Sequence, residues 1–362
     1  MKVQIDIGHP AHVHFYKNFV QIMEERGHEI KVTAQKKDIT LELLDLIGVD
    51  YVYAGQKYNG MLKKAIGTIY RDYLFYKLAK QFKPDIITGV LDMYGAHVAK
   101  VVGSKCVTFT DTEGANLIRH LTMPFISEIY TPSCFNINLG KKQVKYTGYK
   151  ELAYLHPKYF KPDKTVLEEL GIKSNEKFII IRLVSWQASH DINDKGFENL
   201  ADALSILEKY GRILITSELK FEGELEKFKD YEVKISPEKM HSLLSYATMY
   251  IGESATMATE CAVLGTPSIL ISTSRRGYTD ELEEKYGLIY NFSDPLKGQS
   301  QALNKAIELL SGDNIKNEWT RRRDTMLSEK IDVTSFMVDL IEGYPNSVKE
   351  VLDKYDCSYS SA

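Results

Sequence analysis

Short apolar runs bounded by glycine, proline or polar turns alternate with longer stretches of helical periodicity along nearly the whole chain. Lys2 to Ile7 reads as a short strand, 15–26 as a helix closed by Gly27, and 29–33 as a second strand, which together make a βαβ unit. Residues 84–89, 106–109 and 129–132 repeat the short apolar pattern between helical stretches, as a parallel sheet with crossovers requires. A turn-rich zone at 146–175, with Gly148, Pro157, Pro162 and Gly171, interrupts the alternation. It then restarts. Residues 178–181, 212–216, 232–235, 249–251 and 268–271 predict further strands, with helices over 195–210 and 237–246 and a helical tail over 299–344. The polar stretch 313–330 is expected on the surface or spanning the two halves. The pattern predicts an α/β chain of two doubly wound, Rossmann-like domains flanking a cleft: 1–150, a linker at 151–175, 176–330, and a C-terminal helix and tail at 331–362.

Composition narrows the classes. A chain of 362 residues suits two domains of roughly 150 to 200 residues each. A net charge of −3 and a pI near 6.3 argue against a dedicated nucleic-acid binder. The four cysteines, Cys106, Cys134, Cys261 and Cys357, lie far apart without a CxxC pair, so reduced thiols of a cytoplasmic protein are expected, and no zinc site. The N-terminus lacks a basic and apolar leader, and no run of about 18 apolar residues occurs, so neither secretion through a signal peptide nor a membrane span is expected. Residues 58–82 mix Lys63, Lys64, Arg71, Lys77 and Lys80 with Met61, Leu62, Ile66, Ile69, Tyr70, Tyr73, Leu74, Phe75 and Leu78. They read as a core-facing helix with a solvated basic side, or as a peripheral helix on the inner membrane face.

Candidate chemistry gathers in the turns after strands. Glu253-Ser254-Ala255-Thr256 follows a Gly-ended strand and opens a helix, so backbone N–H groups and the helix dipole could hold a diphosphate there. Glu260 would sit about one turn further in, able to point back toward a ribose; plain capping and a solvated Glu260 are the alternative. Gly8 to Phe15 places His9, His12 and His14 in a strand-to-helix turn, where a histidine could take a proton from a hydroxyl or hold a phosphate. Metal binding fits that spacing poorly. Asp111 and Glu113, in a Gly-ended turn, could work as acid and base or could simply cap a helix. Asp92 carries the same ambiguity. After the next domain's first strand, Arg182 could clamp a diphosphate, Ser185 and Ser189 could donate to phosphate or sugar, and Trp186 could stack on a sugar or base. His190-Asp191 reads equally as an Asx turn. Ser217 ends the following strand, and the turn through Ser236, Pro237 and Met240 could read a base edge.

These turns together resemble the GT-B superfamily of nucleotide-sugar enzymes. Gly8 to Phe15, Trp186 to Asp191 and Glu253 to Pro267 look like an uncharacterised, largely archaeal branch of it, and the likeness covers nearly the whole chain. Within the superfamily the chain is similar to the murein GlcNAc-transferase and to the UDP-GlcNAc 2-epimerases. His12 matches the transferase's histidine in its first glycine-rich turn, although His9, Pro10 and Ala11 replace the glycines. Ser254, Ala255 and Thr256 match the donor-diphosphate turn, and Glu260 the glutamate that holds the ribose hydroxyls. The epimerases' His-Val-Glu-Ala-Gly turn corresponds to Phe109 to Gly114, which keeps an acid but lacks the histidine. Their His-Arg motif is replaced by Arg182 and the turn at 186–191. The resemblance implies a metal-independent inverting glycosyltransferase that needs no cofactor. It would take a nucleotide-diphospho-sugar, UDP-linked by expectation, and a glycan or lipid-linked acceptor. An epimerase and a non-catalytic sugar-nucleotide-binding protein are the alternatives.

Overall fold

Every residue of the first strand after Lys2 is buried, the polar Gln4 and Asp6 included, because helices cover both faces of the parallel sheet it enters. The computed structural model describes residues 1–56, 61–185 and 196–360. In chain order its strands are β1 (Lys2–Ile7), β2 (Glu29–Lys36), β3 (Tyr51–Gln56), β4 (Ile86–Val90), β5 (Lys105–Phe109), β6 (Glu128–Pro132) and β7 (Gln143–Tyr146). There follow β8 (Phe178–Leu183), β9 (Arg212–Ser217), β10 (Met249–Gly252), β11 (Ser268–Ile271), β12 (Ile289–Phe292) and β13 (Ser358–Tyr359). The chain divides into two units, Met1–Tyr154 with Ile331–Ala362, and Leu155–Lys330.

Among the described residues, the first unit carries an eight-stranded sheet in the order β13-β7-β6-β5-β4-β1-β2-β3. All its neighbours run parallel except β13, which pairs antiparallel with β7. From β1 the chain winds outward to β2 and β3, then returns to β4 on the other side. The winding direction therefore reverses between β1 and β4, the switch point at which open α/β sheets bind ligands. The Val333–Gly343 helix completes this unit, with Phe336, Met337 and Leu340 fully buried and the Thr334 hydroxyl donating to the Ala153 carbonyl at 2.6 Å.

The second unit has a five-stranded parallel sheet, β12-β11-β10-β8-β9, whose switch point lies between β8 and β10. Its core packs Ile179, Ile181, Ile213, Ile215, Ile251 and Ile269, which share one face of the sheet, against the Leu200–Leu207 and Gly298–Leu310 helices. Residues 232–235 are not the expected strand. Only Glu232 bridges to Ile215, after the 3-10 turn Gly223–Tyr231 has delivered the chain to the sheet edge. The fifth strand is β12 instead, and β3, β7 and β12 all escaped the apolar pattern because they are short and half polar. The polar 313–330 stretch forms the Ile315–Glu329 helix, anchored by the fully buried Trp319, whose Nε1 donates to the Leu288 carbonyl at 2.9 Å.

Residues 61–82 are helical as expected. Arg71, however, belongs to no solvated basic side: it is buried, as are Phe75 and Ala79, while Ile69, Tyr70 and Tyr73 face solvent. Tyr58 lies outside the described residues, as do the side chains of 61–66. No helix among the described residues is long and apolar enough to cross a membrane, and the four cysteines form no disulfide among the described residues.

Candidate functional site

At the first unit's switch point the β1 turn is shorter than the pattern predicts. The helix begins at Pro10 and runs to Glu25, so His12 and His14 lie in its opening turns. Proline's fixed φ and missing N–H suit it to a first helical position. His9 is the N-cap, its Nδ1 accepting the Ala11 N–H at 3.1 Å. His14 stacks on Tyr154, ring centroids 5.3 Å apart. His12 lies 5.8 Å from the His9 ring; it is half-buried as a residue, yet its Nδ1 is shut off from solvent and has no hydrogen-bond partner among the described residues. Burial, then the nearby Lys150, Lys37 and Arg71 cations, push its pKa down to about 3, so the imidazole is neutral at physiological pH.

The acidic residues at the carboxyl ends of this unit's strands are mostly engaged. Asp6 is held by Arg71 at 2.6 and 2.9 Å and by the Thr33 hydroxyl at 2.8 Å, and the Arg71 guanidinium lies 4.3 Å from the Tyr94 ring centroid. Asp92 caps the Met93–Val102 helix, accepting the Tyr94 and Gly95 N–H groups at 2.9 and 2.8 Å. Burial, and next the negative Asp6, hold its carboxyl well above the usual range. Leu91 just before it sits at φ 46°, a left-handed conformation that costs a non-glycine residue energy and recurs at functional sites. Asp111 is buried in an ion pair with Lys150 at 2.7 Å and takes a bond from the Thr112 hydroxyl at 3.2 Å. Neither Asp111 nor Glu113 caps the next helix, which opens at Asn116 with Ala115 as its N-cap and no side-chain bond. Glu113 accepts the Asn136 N–H at 3.5 Å.

The second unit's switch point joins the turns after β8 and β10 through one side chain. Glu253 is buried, and its two oxygens accept the Val184 and Phe197 N–H groups, each at 2.7 Å. It thereby holds both ends of the connection leaving β8 against the turn leaving β10. A Cβ on Gly196 would fall 1.9 Å from Glu253 Oε1, so only glycine fits beside the clamp. Burial drives the Glu253 pKa up to about 7, with the two backbone N–H groups opposing it. Ser254 is the N-cap of the Ala255–Leu264 helix, its hydroxyl accepting the Met257 N–H at 3.3 Å. Ala255 is buried and Thr256 half-buried in the opening turn.

Arg182 reaches Glu218 at 3.0 Å, and Glu218 also receives the Ser185 N–H and hydroxyl at 3.2 Å each. The Arg182 Nε–H is buried without a partner among the described residues. Gly252 permits this packing, since a Cβ there would come within 2.8 Å of the Arg182 Cβ. Glu260 is buried, not solvated, and bonded to His241 Nε2 at 3.0 Å. Ser217 accepts the Leu219 N–H at 2.9 Å, Ser236 donates to Glu238, and Met240 starts the Met240–Tyr246 helix. Trp186, Ser189 and His190 lie outside the described residues.

The structure thus brings His9 and His12 near the Lys150–Asp111 ion pair in the first unit, and in the second sets Arg182, Ser185 and Ser254 at the carboxyl ends of β8 and β10, with Glu260 further along the helix that Ser254 caps. Sequence reasoning missed Lys150, Glu218 and His241, single residues without a motif, and offered Glu253 no role of its own beyond the alternative of a cap. A cavity of about 880 Å³ lies at the amino-terminal end of the first sheet, among Met1, Lys83, Asp85, Ser104 and Glu342. Its acids are engaged, Asp85 by the Lys2 N–H and Glu342 by Arg26 and His28. It lies away from the carboxyl strand ends where such sheets bind ligands. Among the described residues, no three His, Cys, Asp or Glu side chains are grouped to hold a metal ion.

The fold recurs in proteins of low sequence identity. A UDP-GlcNAc 2-epimerase from Neisseria meningitidis, solved with UDP-GlcNAc, superposes over 94% of this chain and 100% of its own, with TM-score 0.63 and 13% identity. The glycosyltransferase VinC, solved with dTDP, superposes over 98% and 100%, with TM-score 0.62 and 11% identity. The chain therefore has a GT-B-like fold, as the resemblance of its turns implied. An uncharacterised protein of Methanocaldococcus jannaschii is 22% identical over 310 residues, 78% of this chain and 89% of that one. A family model matches residues 1–341, and the chain belongs to that family, described as protein of unknown function (DUF354).

Proposed function

We propose that this chain is a glycosyltransferase that takes a nucleotide-diphospho-sugar, UDP-linked by preference, and passes the sugar with inversion to a glycan or lipid-linked hydroxyl. The observation that carries the donor site is the second switch point. There a capped helix N-terminus and the Arg182 Nε–H, unpartnered among the described residues, lie at the carboxyl ends of β8 and β10, and the buried Glu260 is carried further along the same helix. N–H groups of the opening helical turn, with Ser254 and Thr256, would hold the diphosphate, and Glu260 would accept from the ribose hydroxyls. Fixed donors aimed at a diphosphate stabilise the charge that grows on it as the sugar–phosphate bond breaks. VinC, of the same fold, was solved with a nucleoside diphosphate bound.

His12 supplies the base. Its sequestered Nδ1 is neutral and lacks a partner among the described residues, so it can accept a hydroxyl proton as the acceptor oxygen bonds to the sugar carbon. Negative charge arriving with the donor would offset the Lys150, Lys37 and Arg71 cations that now depress its basicity. The Asp111–Lys150 ion pair makes Asp111 a poor proton shuttle and leaves it a supporting role. The fold shared with an epimerase, together with the retained acid Glu113, favours a second reading: epimerisation or hydrolysis of the sugar nucleotide.

Incubation with a panel of nucleotide sugars, with and without a lipid extract, separates these. The proposal expects nucleoside diphosphate release only when an acceptor is present. An epimer or free sugar formed in buffer alone overturns it in favour of the second reading, and tight binding without turnover under any condition reduces the chain to a binding protein.

A further inference from the structure

The donor-site reading gives Glu260 to the ribose, but a glutamate three bonds from the backbone has no fixed direction of its own. In this chain the direction comes from outside its helix. His241 Nε2 lies 3.0 Å from Glu260 Oε1, and the two side chains are only 5% and 8% exposed. An ionised carboxylate has no proton to give, so the imidazole Nε2 donates, which fixes the histidine's tautomer and pins one oxygen of the glutamate. A carboxylate offers about four lone-pair positions, and the imidazole takes one of them.

The imidazole is itself positioned. Phe160 meets it edge-on, ring centroids 6.2 Å apart at 86°. The Met240–Tyr246 helix that carries it is tied to the end of Glu260's helix. Thr266 donates from its hydroxyl to the Leu244 carbonyl at 2.8 Å, and the Lys316 ammonium bridges the Ser245 carbonyl at 2.7 Å and the Thr266 hydroxyl at 3.0 Å. The helices that precede and follow β10 in the chain are thereby locked in register across His241 and Glu260. A buried imidazole donating to a functional carboxylate acts as outer-shell partners act elsewhere: it sets orientation and lowers the cost of leaving a charge in an apolar place.

Resting on the donor-site reading, we propose that His241 is a positioning residue for nucleotide recognition, orienting Glu260 so that the site selects nucleotides bearing an intact ribose diol. His241 touches the glutamate and not the ligand. Its effect therefore appears as discrimination between ribose and 2′-deoxyribose, which a purely structural contact would leave unchanged.

The test titrates the full-length protein with UDP and with 2′-deoxy-UDP, in the wild type and in His241→Leu, His241→Gln and Glu260→Ala. The readout is the ratio of the two dissociation constants, which is independent of the fraction of molecules folded. The wild type should prefer UDP by about 10-fold, the worth of one well-made hydrogen bond to a charged group. His241→Leu, of similar volume but with no donor, should bring the ratio close to 1, and His241→Gln, whose amide can still donate, should keep most of it. If Glu260→Ala abolishes the preference while His241→Leu retains it, the positioning role is overturned and the donor site stands. Equal weakening of both nucleotides by His241→Leu also overturns it. If Glu260→Ala leaves the preference intact, or the wild type binds no UDP, the donor-site reading fails and takes the inference with it.

Discussion

The buried Glu253 and the half-buried His12, whose Nδ1 is shut off from solvent, are titratable groups whose environments push their protons in opposite directions. Glu253 holds its proton up to about pH 7, against 4.5 in an unfolded chain, because burial outweighs its two backbone donors. The folded state therefore binds more protons than the unfolded state between about pH 4.5 and 7, and stability falls as pH rises through that window. A shift of this size corresponds to about 3 kcal/mol. Facing groups belong to the same balance: Glu218 raises the value and Arg182 lowers it. Glu253→Gln, which cannot ionise, should lose this fall, as denaturant unfolding at pH 5 and pH 8 would reveal; an identical pH trend in variant and wild type would exclude the clamp as its source. His12 behaves oppositely. With its pKa lowered to about 3, the unfolded chain binds more protons between about pH 3 and 6.5, so acid destabilises the fold in that window and the effect is absent above it. His12→Gln should flatten the acid limb of the stability profile while cutting turnover and sparing nucleotide affinity. A kcat/KM profile, which reports the free enzyme, with an inflection near pH 6.5 that vanishes in this variant would contradict a histidine already neutral there. The sequence pointed to His12 through its density of histidines, but nothing local could indicate that Lys150, from far along the chain, would help neutralise it.

At the scale of elements, the most legible piece was the strand–turn–helix at 249–264, since the Gly-ended strand, the serine cap and the small residues all act within one turn of each other. Ser254 accepts the Met257 N–H as an N-cap should. Ser254→Ala should cost about 1 kcal/mol of stability through the lost cap, and more than that in UDP affinity if the turn holds a diphosphate; isothermal titration and thermal melts on the same sample separate the two losses. The clamp makes a sharper demand on its neighbour. Gly196→Ala would drive a methyl group into Glu253 Oε1, so either the carboxylate leaves its two N–H partners or the connection shifts. Both leave buried donors unpaired, a cost on the order of 1 to 3 kcal/mol. A melting temperature unchanged from wild type would show that the clamp is dispensable. The elements that periodicity missed, β3, β7 and β12, are four to six residues long with mixed faces, and their strand character comes from sheet neighbours rather than from their own composition. The start of the first helix was misjudged because Pro10 reads as a turn residue until its N1 role is seen.

The whole molecule is organised by a chain that leaves its first unit at Tyr154 and re-enters it at Ile331. Local periodicity does not show this return: β13 has two residues, and its partner β7 lies far back in the sequence. The return is not ornamental. Val333, Phe336, Met337, Val338, Leu340 and Ile341 are all at most 1% exposed, the Ile331 N–H donates to the Thr147 carbonyl at 2.9 Å, and the Phe336 ring packs edge-on against Tyr130 at 5.9 Å. Fully burying one such apolar side chain contributes about 1.5 to 3 kcal/mol, so removing six of them costs as much as the 5 to 15 kcal/mol by which ordinary domains are stable. A chain ending at Lys330 should therefore lose the first unit's cooperative transition. Residues 155–330, which form the second unit as one continuous segment, should keep theirs when expressed alone, and should retain UDP affinity if the donor site is complete within them. Circular dichroism melts of the two truncated chains, with UDP titrations on the second, decide both points. A first unit that still melts cooperatively without 331–362 would mean that the returning helix is an accessory, and a second unit that folds but cannot bind UDP would move part of the nucleotide site outside 155–330.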